Sequence, residues 1–112
     1  MDLTIIKHAV EADDGAKRLS MRFIKKYAAR DRIRLSSELC EQISAELDKL
    51  DLVTLPRTLP TSENEYVWII QKSDVLGEVV YVATVLANLE KLGANPIPKL
   101  FDNYPQAKAG LI

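Results

Sequence analysis

The chain contains one cysteine, Cys40, and one histidine, His8. A single thiol excludes an internal disulfide framework and fits a reducing compartment. One Cys and one His are too few for a zinc site at motif spacing. The lone His also leaves no choice of base for a Ser–His or Cys–His pair. Glycine is sparse, and Gly15, Gly77, Gly93 and Gly110 stand far apart, so no glycine loop that could cradle phosphate is present. Asp13-Asp14-Gly15 lacks the remaining ligand positions of a calcium loop. The start, MDLTIIKHAVEADD, has no basic region ahead of an apolar run and no small-residue cleavage site. The expectation is a cytoplasmic protein that is not an enzyme and takes no cofactor or metal.

What is present suits one domain over residues 1–112, large enough to bury a core without cross-links. Charge is segregated along the chain although the net value is only −1. Residues 1–16 carry one Lys against four acids, giving −3, and residues 17–34 carry eight Lys/Arg against Asp31 alone, giving +7. Residues 35–65 carry Lys49 and Arg57 against seven acids, giving −5, and the remainder balances to 0 with four of each sign.

The organising stretch is Asp74 to Leu92, DVLGEVVYVATVLANLEKL. Its β-branched residues favour a strand, but Asp74, Glu78, Tyr81, Thr84, Asn88 and Lys91 recur at spacings of 4, 3, 3, 4 and 3, which is a helical stripe. Ser73 or Asp74 can cap its start, Gly93 suits the left-handed position after its end, and Pro96 prevents continuation. The apolar remainder is wider than the stripe of an ordinary surface helix. The reading places this helix at the centre of the core, either within one subunit or shared with a second. Val75, Val79, Val82 and Leu86 are the expected contact. The charges within the stretch argue against a membrane span.

In chain order, Leu3 to Val10 reads as an edge strand or the first turn of a helix, with the strand preferred, and Glu11 to Gly15 as a turn. Ala16 to Arg30 reads as an amphipathic helix, with Leu19, Phe23, Ile24 and Tyr27 on one face and Arg18, Arg22, Lys25 and Lys26 on another. A second helix opens at Ser36-Ser37-Glu38 and runs to Leu50, burying a stripe of Leu39, Ile43, Leu47 and Leu50 with Cys40 inside it and leaving an acidic exposed side. Leu52–Leu55 and Glu65–Gln71 read as an antiparallel hairpin whose long loop holds Pro56 and Pro60. Within its second strand Tyr66, Trp68 and Ile70 share one face, and Val67 and Ile69 the other. Trp68 is expected to be buried under the long helix. Residues 94–112, with three prolines, read as an irregular tail whose Ile97, Leu100, Phe101 and Tyr104 lie along the core and whose last residues are loose.

The expected class is therefore α+β: two amphipathic helices, a β-hairpin and a long apolar C-terminal helix. This order, carried by LSSELCEQISAELDKLDLV and the hairpin after it, resembles winged-helix regulators that dimerise through their last helix, in a degenerate form without an internal turn in the 36–50 segment. Glu63 and Glu65 at the loop tip and the acidic second helix would repel DNA.

Two functions follow as expectations. The first is a protein–protein assembly domain, self-associating as a homo-oligomer through the 74–92 helix or docking a partner protein. The alternative is a nucleic-acid-binding accessory or transcriptional regulator that uses Arg18, Arg22, Lys25, Lys26, Arg30, Arg32 and Arg34, since phosphate neutralisation needs several cations on one face. The same cations could equally meet an acidic protein partner.

Overall fold

The computed structural model describes residues 1–31, 34–93 and 105–111. Among these described residues it is an α+β domain with five helices and one three-stranded antiparallel sheet. The elements run α1 (Thr4–Ala12), β1 (Ala16–Ser20), α2 (Met21–Ala28), α3 (Ser37–Lys49), β2 (Leu52–Leu55), β3 (Tyr66–Gln71), α4 (Val75–Lys91) and α5 (Pro105–Leu111). The sheet order is β1-β3-β2, so β3 is central and both its edges are paired.

The N-terminal segment is a helix and not an edge strand. Leu3, Ile6 and Val10 recur at helical spacing and are buried, while Ile5 faces outward. The stretch from Ala16 to Arg30 also departs from expectation, because it is two elements. Residues 16–20 pair with β3, Ala16 opposite Ile70 and Ser20 opposite Tyr66. Only then does a helix begin, with the Ser20 hydroxyl capping it by accepting from Phe23 N at 3.1 Å. Pairing across the sheet overrides the helix-forming composition of AKRLS.

α3 matches its sequence pattern. Ser36 caps it by accepting from Leu39 N at 3.1 Å, and Leu39, Cys40, Ile43 and Leu47 are buried. The hairpin is also as read, with Val53 opposite Ile70 and Leu55 opposite Trp68.

Two apolar clusters lie on the two faces of the sheet. The larger joins α1, α2 and α3 to Leu19, Leu52, Val67 and Ile69. The smaller joins Val53 and Ile70 of the sheet to Val80 and Ala87 of α4 and Leu111 of α5. α4 is therefore not the centre of the core. It leans on the sheet through a narrow strip of Gly77, Val80 and Ala87. Nor is it the last element, because Pro105–Leu111 of the segment read as irregular form α5, with Leu111 buried and the Gly110 carbonyl accepting from Arg57 N at 2.7 Å. The expected placement of Ile97, Leu100, Phe101 and Tyr104 lies outside the described residues.

Candidate functional site

Two surfaces stand out. The first is the outer face of α4. Asp74 caps the helix through Val75 N at 3.1 Å, and Gly93 takes the left-handed conformation after its end, at φ +74°. Of the four expected contact residues, Val75 is 75% exposed, and Val79 and Val82 are each 57% exposed. Leu86 is half-buried and packs partly on the smaller cluster. With Glu78 and Ala83 these four line a shallow apolar groove of about 450 Å³. Leu76, Tyr81, Val85 and Leu92 are exposed as well. These side chains run along one side of the helix, opposite the strip of Gly77, Val80 and Ala87 that packs on the sheet.

The second surface is basic. Sequence reading placed Arg18, Arg22, Lys25 and Lys26 on one helix, but Arg18 belongs to β1 and the other three to α2. The three α2 cations gather beside Ser20, where the strand turns directly into the helix, while Arg18 lies over the Tyr66 ring. A groove of about 470 Å³ is lined by Ser20, Arg22, Phe23, Lys25, Lys26, Arg30 and Glu63. A smaller one beside it shares Ser20, Arg22 and Glu63 and reaches Tyr66. Arg34 is exposed beyond α2, and Arg32 lies outside the described residues.

The loop between β2 and β3 is fastened to this groove. Met21 N donates to the Glu65 carbonyl at 2.8 Å and Arg22 N to the Glu63 carbonyl at 3.1 Å. Arg22 Nη2 donates to Asn64 Oδ1 at 3.0 Å, and Lys25 Nζ meets Glu63 Oε1 at 2.6 Å. The hydrogen bond from Lys25 holds the Glu63 carboxyl below its ordinary value, and the charges of Lys25 and Arg22 add to this. The one acid in the groove is thus already matched to a cation, and Arg22, Lys26 and Arg30 remain exposed.

Beside the groove the outer face of the sheet is open. Trp68 is 45% exposed and Tyr66 53%, so Trp68 is not buried under the long helix. The alternation of faces in β3 was read correctly. What overturns the expectation is that the cluster formed with α4 and α5 on that face takes in Ile70, Val53, Ala16 and Leu55 and leaves Trp68 outside it. Arg18 sits opposite Trp68 in the register and lays its guanidinium 4.2 Å from the Tyr66 ring centroid. This surface was missed from the sequence, although Arg18 and the Tyr66/Trp68 alternation were the signal for it.

Cys40 is buried, its thiol pushed up by burial, with Sγ 3.5 Å from the Pro60 carbonyl. His8 is exposed on α1. Among the described residues no three of His, Cys, Asp and Glu gather as metal ligands, and no helix is long and apolar enough to cross a membrane. No family model matches the chain, and neither a curated protein nor a solved structure does.

Proposed function

We propose that this protein is a non-enzymatic assembly domain that pairs with a second copy of itself through the outer face of α4. The observation that carries the reading is the exposure of Val75, Val79 and Val82 along one line of a helix whose other side already packs on the sheet. Burying a Val or Leu side chain is worth about 1.5–3 kcal/mol from full exposure. Several such residues from each copy give a gross gain of the same order as the association cost, roughly 4–15 kcal/mol.

A second copy fits this face better than an arbitrary partner, for two reasons. The spacing of Val75, Val79, Val82 and Leu86 is 4, 3 and 4, the seam along which helices pair side by side. The helix dipole then favours the antiparallel arrangement, in which each N-terminal end lies beside its partner's C-terminal end. The contact would be isologous, with each copy presenting the same patch. The winged-helix-like reading belongs with this proposal, and the succession of α2, α3, hairpin and α4 supports it.

Light scattering on a concentration series tests the proposal. Wild-type protein is expected to approach twice the subunit mass at micromolar to tens of micromolar concentration. Val82→Glu is expected to hold it at subunit mass with its helical signal unchanged, because Val82 is exposed within the subunit. A wild-type protein that stays a monomer at high micromolar concentration overturns the reading.

The second reading is nucleic-acid binding. It is favoured by the open groove in which Arg22, Lys26 and Arg30 stand exposed together.

A further inference from the structure

We propose that the outer face of the sheet and the α2 groove together bind a short stretch of single-stranded nucleic acid, with bases stacked at Trp68 and Arg18 and phosphates on Arg22, Lys26 and Arg30. The proposal rests on the nucleic-acid reading of the groove and adds the form of the ligand.

The first argument is the exposed planar groups. Single strands differ from duplexes in offering free base faces, and proteins take them by pairing a basic track with aromatic platforms. Here Tyr66, Arg18 and Trp68 lie on one face of the sheet. The Arg18 guanidinium is already stacked on Tyr66 at 4.2 Å, which orders that side chain beside Trp68 before any ligand arrives. A base can stack on a guanidinium plane as on a ring.

The second argument is continuity. Tyr66 lines the small groove that shares Ser20, Arg22 and Glu63 with the large one, so platform and cations form one path from β3 to the end of α2. From Arg22 to Ala28 the helix runs roughly 9 Å at helical rise, and Arg30 follows just beyond its end. The third argument is range. The +7 segment is flanked by segments of −3 and −5, which weaken its field beyond a Debye length of about 10 Å at 0.1 M salt. A ligand held at contact distance by stacking tolerates this arrangement. A duplex steered from afar, and meeting the acidic exposed side of α3, does not. An acidic peptide would satisfy the cations but leave Trp68 unused.

Trp68 is the only tryptophan, so its fluorescence reports on the platform directly. The test titrates the full chain, at about 20 mM salt, with an oligothymidine of about 12 nucleotides, with a duplex of equal length, and with oligoglutamate. Stacking is expected to quench Trp68 with the oligothymidine alone at micromolar concentration. The affinity should fall with salt at a log–log slope of about −2 to −3, since each of three or four phosphate contacts contributes about 0.7. Trp68→Leu, followed by anisotropy of a labelled strand, should weaken binding about ten- to hundred-fold. Arg22→Glu with Lys26→Glu should abolish it while the circular dichroism stays unchanged. Duplex bound as tightly as the single strand, or a strand bound without quenching, overturns the stacking proposal and leaves the nucleic-acid reading standing. Oligoglutamate that binds as tightly as the strand overturns both and makes the groove an acidic-peptide site. Absence of any binding overturns both as well.

Discussion

Gly77 of α4 lies so close to Gln71 of β3 that a Cβ at position 77 would stand 2.0 Å from the Gln71 carbonyl oxygen. The obstacle is backbone on both sides, so neither can give way cheaply. Gly77→Ala is expected to destabilise the fold by about 2–3 kcal/mol, toward the upper end for overpacking. Gly93→Ala is the comparison. It has no neighbour within 4 Å but keeps φ +74°, and should cost only about 1 kcal/mol. Urea denaturation midpoints of the two variants check the ranking, and an unshifted Gly77→Ala would mean that α4 does not sit this close to the sheet.

Two serine caps make a second prediction. Ser36→Ala and Ser20→Ala each remove an acceptor from a helix start and should each cost about 1 kcal/mol. Their effects should differ on the surface. Ser20 joins β1 to α2 at the head of the basic groove, so its loss should also broaden the amide resonances of Arg22 and Phe23. Ser36→Ala should leave those resonances unchanged.

The Lys25–Glu63 pair predicts a pH dependence. The folded-state value for Glu63 is lowered, so its contribution is present above the unfolded carboxylate range and is lost as pH falls through the folded value. Urea midpoints of wild type and Glu63→Gln should therefore differ near neutral pH and converge in acid. The difference should be small, since the pair is partly open to water. Midpoints that stay apart once Glu63 is fully protonated would place the pH dependence elsewhere.

Cys40 predicts slow thiol chemistry. It is buried, its thiol is raised by burial, and its Sγ lies 3.5 Å from the Pro60 carbonyl. Reaction with a disulfide reagent at neutral pH should run at the rate of unfolding and speed up in step with added denaturant. Fast labelling of native protein would show that the 56–65 loop opens on its own.

The parts of this fold that could be read from the sequence are those fixed by neighbours in the chain. α4 was bounded by Asp74 and Gly93, whose capping roles are local, and the buried stripe of α3 follows from the spacing of Leu39, Ile43 and Leu47. β1 was missed because its pairing with β3 is a contact between segments about fifty residues apart. α1 carried a legible 3-and-4 spacing in Leu3, Ile6 and Val10, obscured by the strand-favouring Thr4-Ile5-Ile6. For the candidate site the cations were visible, but that Arg18 comes from a strand and lies over Tyr66 was not. Alternation assigned Trp68 to the correct side of its strand. How far a packed helix reaches over that side is a property of the assembled layers.

Only Lys72, Ser73 and Asp74 separate β3 from α4, and the junction is bonded on every side. Gln71 N donates to the Gly15 carbonyl at 2.8 Å, Lys72 N to the Asp51 carbonyl at 2.9 Å, and Asp74 N to the Gln71 carbonyl at 3.2 Å. Such a joint cannot act as a hinge. If two copies pair along α4, the joint holds their Trp68 surfaces at one fixed separation and works as a ruler. A single strand long enough to reach both surfaces would bind as a bivalent ligand, its second contact made at an effective concentration in the millimolar range. Strands below that length would gain nothing from dimerisation, so affinity plotted against oligonucleotide length should rise in a step.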